Sequence, residues 1–261
     1  MKLVVKIGGA ALDDRELVKK CARAIVDLAN EGHKVAVVHG GGAALTRTLA
    51  QLGKESQFIN GLRVTDMETR DIAVMVLAGR VNKQLVASIS AEGQAAIGLC
   101  GGDGHAFTAR KKQSNGTDLG FVGEISNVDA RWIRAIWDNG GIPVMSSIAL
   151  GSDGEYYNVN ADQMAAACAA GCGADALIFL TDVAGVKGAD GAVIRWLPLS
   201  QAHSLVKDSV VAGGMLPKLQ ACEEALRQGV ARVRILPAMN AQELPDFYFS
   251  KIESGTEVMA S

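Results

Sequence analysis

KLVVKIGGAALDD (residues 2–14) contains, in this order, the signals of a strand, a tight turn and the start of a helix. Residues 3–7 form a short run of mostly branched apolar side chains, which predicts a buried strand. The two glycines that follow permit a tight turn, and Asp13 or Asp14 can cap a helix that ends at Gly32. The apolar stripe of that helix has helical spacing and consists of Leu17, Cys21, Ile25 and Leu28.

The same alternation of strand and helix continues along the rest of the chain. Further strands are predicted at residues 34–38, 95–99, 142–148, 176–180 and 233–236. Helices are predicted at residues 45–52, 66–90, 130–139 and 160–172, and hairpin excursions at residues 120–127 and 156–158. This rhythm is typical of a mainly parallel sheet, so we predict an α/β fold: a three-layer sandwich with helices on both faces of a central sheet.

No segment of the sequence has the composition of a linker between domains. The sequence has no Pro/Ser-rich tract, no low-complexity segment and no repeat. We therefore expect a single domain, residues 1–261, with an N-terminal lobe (about 1–150) and a C-terminal lobe (about 151–261) that join near residues 149–154. The carboxyl ends of the parallel strands should share one edge of the sheet, where ligands usually bind.

Composition and charge exclude several classes of function. Hydrophobic residues make up 49% of the 261 residues, enough for a core that is stable without disulfide bonds or a structural metal. The net charge of −2 offers no basic field for nucleic acid or an anionic membrane. The apolar runs are short and no signal peptide is recognised, so we expect no membrane span and a cytoplasmic location. The cysteine count of five is odd and no C-x-x-C occurs, which argues against a disulfide framework or a zinc site.

Glycine-rich turns follow the first two predicted strands. KIGG (residues 6–9) closes the first and HGGG (residues 39–42) closes the second. Such turns let backbone N–H groups approach an anion, and the next helix N-terminus adds positive partial charge. Two turns, one of them carrying Lys6, predict a phosphate site. No P-loop motif, G-x-G-x-x-G or G-x-S-x-G occurs, so P-loop proteins, dinucleotide folds and α/β-hydrolases are not indicated.

Seven motifs resemble, in the same order, those of the amino-acid kinase family. They are KIGG (6–9), HGGG (39–42), NGLRVTD (60–66), LAGRVNK (77–83), YNVNAD (157–162), LTDVAGV (180–186) and GGMLPK (213–218). KIGG and HGGG are shared widely in that family, whereas NGLRVTD and YNVNAD are similar to its members that act on N-acetyl-L-glutamate. The resemblance covers nearly the whole chain. It implies the amino-acid kinase fold and transfer of the γ-phosphate of ATP to the side-chain carboxylate of N-acetyl-L-glutamate, a step of arginine biosynthesis.

The resemblance also implies catalytic roles. Lys6 and Lys218 would lie on the transferring phosphoryl group, as compact point charges. Asp162 would hold both lysines in position. The N–H groups of Gly9 and Gly41 would bind phosphoryl oxygens as fixed dipoles. No general base is required, because a carboxylate acceptor is already ionised at neutral pH.

Binding residues are implied in the same way. The acyl-amino acid would be bound by Arg63, whose planar fork matches a carboxylate, with Asn158, Asn160, Gly41 and Gly42. The nucleotide would contact Lys6, Gly8, Gly9, Thr181, Asp182, Gly214, Met215 and Lys218. Mg²⁺ would bridge the ATP phosphates with mostly water ligands and no protein carboxylate. The family pairs its subunits through the helix predicted at residues 66–90, so a homodimer is expected.

Simpler interpretations stand beside these roles. Lys6 could be a solvated lysine at a strand end, and Asp162 could be an ordinary acid in a helix first turn. Arg63 could pair with Asp66 or Glu68 on the surface.

Two other functions are compatible with the sequence. One is a kinase for another acyl-amino acid, N-succinylglutamate or carrier-protein-linked aminoadipate; NGLRVTD and the lack of a basic carrier-binding patch argue against the carrier-linked form. The other is a non-catalytic amino-acid sensor, which should have lost a key charge, whereas Lys6, Lys218 and Asp162 are present.

His39 closes a buried strand and is interpreted as a hydrogen-bonded structural group and not as a base.

Overall fold

An eight-stranded central sheet organises the structure, a computed structural model that describes residues 1–8, 10–113, 117–245 and 254–260. Across the sheet the strands are, in order, Trp196–Pro198 (β12), Thr256–Met259 (β14), Arg232–Pro237 (β13), Ala176–Thr181 (β11), Lys2–Ile7 (β1), Lys34–His39 (β2), Ile142–Ser146 (β8) and Ala96–Leu99 (β5). Neighbouring strands pair in parallel except for β13 with β14. The predicted mainly parallel sheet is confirmed.

Helices connect these strands. They are Arg15–Asn30 (α1), Gly42–Gln51 (α2), Met67–Ala73 (α3), Asn82–Ala91 (α4), Arg131–Asp138 (α5), Ala161–Cys172 (α6), Leu199–Lys207 (α7) and Met215–Arg227 (α8). Val74–Val81 between α3 and α4 is π-helical, so that Met67–Ala91 forms the one long helix predicted at residues 66–90.

Both faces of the main sheet are buried, which accounts for the continuous apolar sequences of its strands. Leu3, Val5 and Ile7 of β1 pack in the core formed with α1 and α4, whereas Val4 packs in the core formed with α6 and α8. Successive side chains of a strand point to opposite faces, so each strand serves both cores. The sheet is thus the middle layer of the predicted α/β sandwich.

A smaller sheet accompanies the main one. Phe107–Lys111 (β6), Val122–Val128 (β7), Ile148–Gly151 (β9) and Tyr156–Val159 (β10) pair with one another in a closed arrangement. The strand predicted at residues 142–148 is wrong in its extent, because the chain leaves the main sheet after β8 and enters the small sheet at β9. A two-stranded hairpin, Phe58–Ile59 (β3) and Leu62–Arg63 (β4), turns through Asn60 and Gly61, both with positive φ.

One helix of the described chain, Met67–Ala91, has 25 residues and a mean hydropathy that reaches 1.3, enough to cross a membrane by length and composition alone. A buried core helix meets the same two criteria, so the expectation that no segment spans a membrane is not contradicted. Charged residues are spaced along this helix, so no uninterrupted apolar run reveals it. Its inner face packs against α2 as part of the core, while Met67 and Met75 on its outer face are exposed.

Candidate active site

The site lies at the edge of the main sheet where the parallel strands end. Ile7, the last residue of β1, lies between Leu180 of β11 and His39 of β2. The residues that follow these three along the chain, Gly8, Thr181 and Gly40, therefore lie side by side at this edge. The two predicted glycine turns meet here, as expected for the carboxyl ends of a parallel sheet.

Two lysines share one carboxylate at this edge. Nζ of Lys6 lies 2.7 Å from Oδ1 of Asp162, and Nζ of Lys218 lies 3.2 Å from Oδ1 and 3.1 Å from Oδ2. Lys6 belongs to β1, Asp162 to the first turn of α6 and Lys218 to the first turn of α8. All three residues are at most 7% exposed. The structure thus brings the three together in the interior, so neither a solvated lysine nor an ordinary surface acid describes them.

The charges of this lysine–aspartate cluster do not cancel. Burial lowers the pKa of Lys6 below its usual value, although Asp162 acts in the opposite direction. Burial would raise the pKa of Asp162, but the two lysines outweigh it and hold the pKa of that carboxyl below its usual range. Asp162 is therefore ionised at neutral pH, and with two lysines on one carboxylate the cluster favours a bound anion.

Helix N-termini surround the cluster. The side chain of Asn160 caps α6, because its Oδ1 accepts from the N–H groups of Asp162 at 2.9 Å and Gln163 at 3.2 Å. A Cβ added to Gly40 would lie 3.4 Å from Cβ of Ala161, so the glycine turn before α2 adjoins the start of α6. Lys218 brings the start of α8 to the same place. The three helix starts add positive partial charge.

The described glycines of the two turns have different structural roles. The N–H of Gly8 donates to the carbonyl oxygen of Leu180 at 2.8 Å, so this donor is used by the sheet and is not offered to a ligand. Gly41 has a φ of 147°, a backbone conformation that favours glycine, and a Cβ there would lie 2.8 Å from Cδ2 of Leu77. Gly9 lies outside the described residues.

His39 holds the second turn in place. Its Nδ1–H donates to the carbonyl oxygen of Gly40 at 2.7 Å, and its Nε2 accepts from Nδ2 of Asn82 at 3.0 Å. Burial lowers the pKa of His39 to about 4, so the ring is neutral at physiological pH. Because a trans peptide is planar, fixing this carbonyl also directs the N–H of Gly41 away from the ring. The geometry agrees with a structural His39.

A cavity of about 160 Å³ opens beside this turn. Its walls come from the turn itself, the β3–β4 hairpin, the long helix and the junction of β10 with α6. All the residues predicted to bind the acyl-amino acid line it: Gly41, Gly42, Arg63, Asn158 and Asn160. Nδ2 of Asn158 also donates to Oγ1 of Thr65 at 3.3 Å, which fixes its side chain at the wall. Among the described residues, no Asp or Glu lines this cavity.

Arg63 is a buried cation with neutral partners. Its Nη2 donates to the carbonyl oxygen of Gly42 at 3.0 Å and to Oγ1 of Thr46 at 2.7 Å, and its Nη1 donates to Oγ of Ser56. The guanidinium lies 4.6 Å from the ring centre of Phe58. Burial lowers the pKa of Arg63. No carboxylate of the described chain contacts it, so its charge is available to an anionic ligand.

The surface pairing considered for Arg63 is not found. Lys54 takes both acids instead, with its Nζ 2.7 Å from a carboxylate oxygen of Asp66 and of Glu68. Sequence reasoning misses the residues that surround the guanidinium, namely Thr46, Ser56 and Phe58. The Asn-Gly pair at residues 60–61 signals the hairpin that carries Phe58, whereas nothing in the sequence signals the two hydroxyl groups.

Of the residues predicted for the nucleotide, Lys6 lies in β1 and Thr181 lies in β11, which pairs with β1 on the side away from β2. Thr181 ends β11, and its hydroxyl donates to Oδ1 of Asp182 at 3.1 Å. Asp182 is exposed, and its charge acts on Lys6. Gly214 and Met215 begin the helix that carries Lys218. Thr181 is buried, whereas Asp182 and Gly214 are exposed.

The arrangement defines a class of protein. Two lysines beside helix N-termini suit a phosphoryl group, and a cavity with one unneutralised arginine suits a small carboxylate. The two sites share the turn that carries Gly41. Fold and site together are those of a phosphotransferase that acts on a small anionic molecule.

Comparisons with known proteins identify the family. Residues 1–237 match the model of the amino acid kinase family, and the chain belongs to that family. A protein named acetylglutamate kinase from Acidobacterium capsulatum is 64% identical over 261 residues, and another of that name from Koribacter versatilis is 57% identical; each match covers 100% of both chains. The solved N-acetylglutamate synthase from Neisseria gonorrhoeae, complexed with coenzyme A and N-acetyl-glutamate, has a TM-score of 0.87 and 27% identity, covering 100% of this chain and 59% of that one. The predicted amino-acid kinase fold is confirmed.

Proposed function

We propose that this chain transfers the γ-phosphate of ATP to the side-chain carboxylate of N-acetyl-L-glutamate, forming N-acetyl-L-glutamyl 5-phosphate, a step of arginine biosynthesis. The observation that carries the proposal is the junction of two sites: the lysine–aspartate cluster of Lys6, Asp162 and Lys218 adjoins the acceptor cavity of Arg63 at a common glycine turn. The names of the 64% and 57% identical relatives support the same acceptor.

Phosphoryl transfer to a carboxylate brings two anions together, so the protein has to neutralise charge and align the reactants. Lys6 and Lys218 would supply two ammonium groups to the transferring phosphoryl group. Asp162 sets their separation, because both are hydrogen-bonded to it. The N–H of Gly41 would add a fixed dipole. The acceptor carboxylate is already ionised at neutral pH, so the mechanism requires no general base.

The acceptor cavity favours an acylated amino acid over a free one. Its described lining has no Asp or Glu, and Arg63 and the start of α2 make it positive. A free α-ammonium group would lose its water there without gaining an anionic partner, which is costly. An N-acetyl group is neutral, and the amide of Asn158, which lines the cavity, would bind it. Arg63 would hold the α-carboxylate.

ATP would enter with Mg²⁺ on its phosphates. The oxygens of Asp162 are already engaged by the two lysines. In the described parts of the chain, no group of three or more His, Cys, Asp or Glu side chains could hold a metal ion. Mg²⁺ in kinase sites keeps several waters and binds substrate phosphates, so we assign it no protein carboxylate. Residues proposed to contact the nucleotide are Lys6, Gly8, Gly9, Thr181, Asp182, Gly214, Met215 and Lys218.

An acyl-phosphate trap tests the proposal. The purified chain is incubated with ATP, Mg²⁺, hydroxylamine and one candidate acceptor, and the hydroxamate formed from the acyl phosphate is measured. We expect product from N-acetyl-L-glutamate and far less from L-glutamate. Faster reaction with N-succinylglutamate or carrier-linked aminoadipate would favour the alternative kinases, and binding of N-acetyl-L-glutamate without turnover would favour a sensor.

A cytoplasmic homodimer is proposed as the working form, with residues 1–150 carrying the dimer helix and most of the acceptor cavity and residues 151–261 carrying the nucleotide wall. Met67 and Met75 are 60% and 62% exposed on the outer face of the long helix. Exposed apolar side chains on one helix face favour an interface. We expect Met75→Glu to give a monomer by light scattering, whereas Met239→Glu, at a 69% exposed methionine elsewhere, should leave the dimer intact.

A further inference from the structure

We propose that Thr46 is a positioning residue for the acceptor site, because its hydroxyl ties the guanidinium of Arg63 to the first turn of α2. This inference rests on the proposed function, which assigns Arg63 to the acceptor. Oγ1 of Thr46 accepts from Nη2 of Arg63 at 2.7 Å and donates to the carbonyl oxygen of Gly42 at 2.9 Å. Nη2 donates to that same carbonyl oxygen at 3.0 Å. The three groups form a closed hydrogen-bonded triangle.

The triangle decides which N–H groups of Arg63 remain for a ligand. A guanidinium has five N–H donors. Thr46 and Gly42 occupy both donors of Nη2, and Ser56 occupies one donor of Nη1. The donors left without an acceptor among the described residues are one on Nη1 and one on Nε. A long, flexible arginine side chain is thereby held in one orientation before the ligand arrives, which lowers the entropic cost of binding.

The same triangle connects the acceptor cavity to the phosphoryl side of the site. Gly42 is the first residue of α2 and follows Gly41, whose N–H faces away from His39. The triangle therefore joins the guanidinium to the turn that both substrates share. Reactants must be aligned closely for transfer, so a residue that fixes Arg63 relative to this turn affects how the acceptor is presented, although Thr46 itself lies outside the lining of the cavity.

Thr48 provides a matched control on the same helix. Its Oγ1 donates to the carbonyl oxygen of Ala44 at 3.0 Å, the same bond to the fourth preceding residue that Thr46 makes. In the described structure, Thr48 makes no hydrogen bond to Arg63. Valine has the shape of threonine without the hydroxyl, so Thr46→Val and Thr48→Val each remove one such bond, but the first of them alone breaks the tie to Arg63. Thr46 is exposed, so valine there does not disturb the core.

Steady-state kinetics with N-acetyl-L-glutamate varied at saturating MgATP test the proposal. We expect Thr46→Val to raise the KM for the acceptor about ten-fold, as for loss of a hydrogen bond to a charged group. The change in kcat and in the KM for ATP should be less than about two-fold, because the tie to Arg63 is the same in the bound complex and in the transition state. Thr48→Val should match the wild type, and Thr46→Ser, which keeps the hydroxyl, should restore the KM. Equal KM values for Thr46→Val and Thr48→Val would overturn the proposal.

A second measurement separates this inference from the proposed function. If the wild type forms no acyl phosphate from N-acetyl-L-glutamate, the proposed function fails, but the tie can still be measured by thermal unfolding. We expect Thr46→Val and Arg63→Met to be non-additive in their effects on Tm, because they remove the same hydrogen bond, and Thr48→Val and Arg63→Met to be additive. Additive effects for both pairs would overturn the tie whichever substrate the enzyme uses.

Discussion

Nζ of Lys6 lies 2.7 Å from Oδ1 of Asp162, and both side chains are only 9% exposed. The pair forms because Asn160 fixes the first turn of α6 at the end of β1. A buried ion pair contributes little net stability, since removing two charges from water offsets their attraction. A second lysine, Lys218, on the same carboxylate increases the unpaired positive charge. The arrangement is therefore best understood as a receptor for an anion.

Loss of either lysine should slow the chemical step. We expect Lys6→Ala or Lys218→Ala to lower kcat by about 10²–10³-fold, because each removes one fixed charge that stabilises the transferring phosphoryl group. Asp162 keeps one ammonium partner in each variant, so the fold should be retained. Initial rates of the acyl-phosphate assay measure the effect.

Lys34→Ala is the control for these variants. Lys34 pairs with Asp138 on the surface, where its side chain is 47% exposed. Such a pair contributes little, so kcat should stay within about two-fold of the wild type. A Lys6 or Lys218 variant as active as Lys34→Ala would contradict the role of the lysine–aspartate cluster.

The pH dependence of activity should have an alkaline limit set by Lys6. Burial lowers the pKa of Lys6 from 10.5, so its ammonium charge is lost below that pH, and kcat should fall there. Stability should change in the opposite direction. Because the folded pKa of Lys6 lies below the unfolded one, the unfolded chain binds more protons between the two values, and this lysine makes the free energy of unfolding rise with pH in that window. A loss of kcat that coincides with alkaline unfolding would contradict this assignment.

The acid side of the same profile tests His39 and Asp162. His39 has a pKa of about 4, so we expect no change in kcat from histidine titration between about pH 5 and 8. Asp162 has a pKa lowered from 3.8 by the two lysines, against the effect of burial. Its contribution to stability is therefore present above pH 3.8 and is lost as the pH falls through the lower folded value. A step in kcat near pH 6.5 that His39 variants remove would contradict the structural role.

The sequence predicts those strands, turns and helices that local residue patterns determine. β1, β2 and the glycine turns after them follow from short apolar runs and glycines, and α6 was delimited within one residue, at 160–172 against Ala161–Cys172. α8 is not predicted, and Pro217 is its third residue. Proline is tolerated in a first helical turn, where its missing N–H has no partner to lose. The predicted strand at 142–148 passes through Ser146 and Ser147, and it is at these two polar residues that β8 ends and the chain moves to β9.

The site is less accessible to sequence reasoning than the fold. No local feature of the sequence indicates that residues 6, 162 and 218 are close in space, because their separation along the chain does not determine their distance. Only the resemblance to the family predicts that they meet. Thr46 lies on an exposed helix position and looks like an ordinary surface residue. Its contact with Arg63 depends on how the β3–β4 hairpin folds against α2, which is a property of the tertiary structure.

Arg63→Ala should act on binding of the acceptor. Its guanidinium carries a charge that neutral partners leave uncompensated, so its loss should raise the KM for N-acetyl-L-glutamate by about 10²-fold with a smaller change in kcat. Arg131→Ala is the control, because Arg131 is 75% exposed and pairs with Asp129 on the surface. An unchanged KM in Arg63→Ala would remove the arginine from the acceptor site.

Gly41→Ala should lower kcat by more than its loss of thermal stability accounts for. Alanine at a φ of 147° is strained by about 1–3 kcal/mol, and its Cβ would lie 2.8 Å from Cδ2 of the buried Leu77, so the turn or the side chain of Leu77 has to shift. Gly53→Ala is the matched control, because Gly53 also has a positive φ, 76°, with no atom within 4 Å of the added Cβ.

Both variants should lower Tm, but the displaced turn is the one that carries the N–H of Gly41, so Gly41→Ala alone should lower kcat. Thermal unfolding and kcat measured on the same preparations separate the two effects. If both variants lost kcat in proportion to Tm, backbone strain anywhere in the chain would suffice, and the geometry of this turn would have no specific part in the transfer.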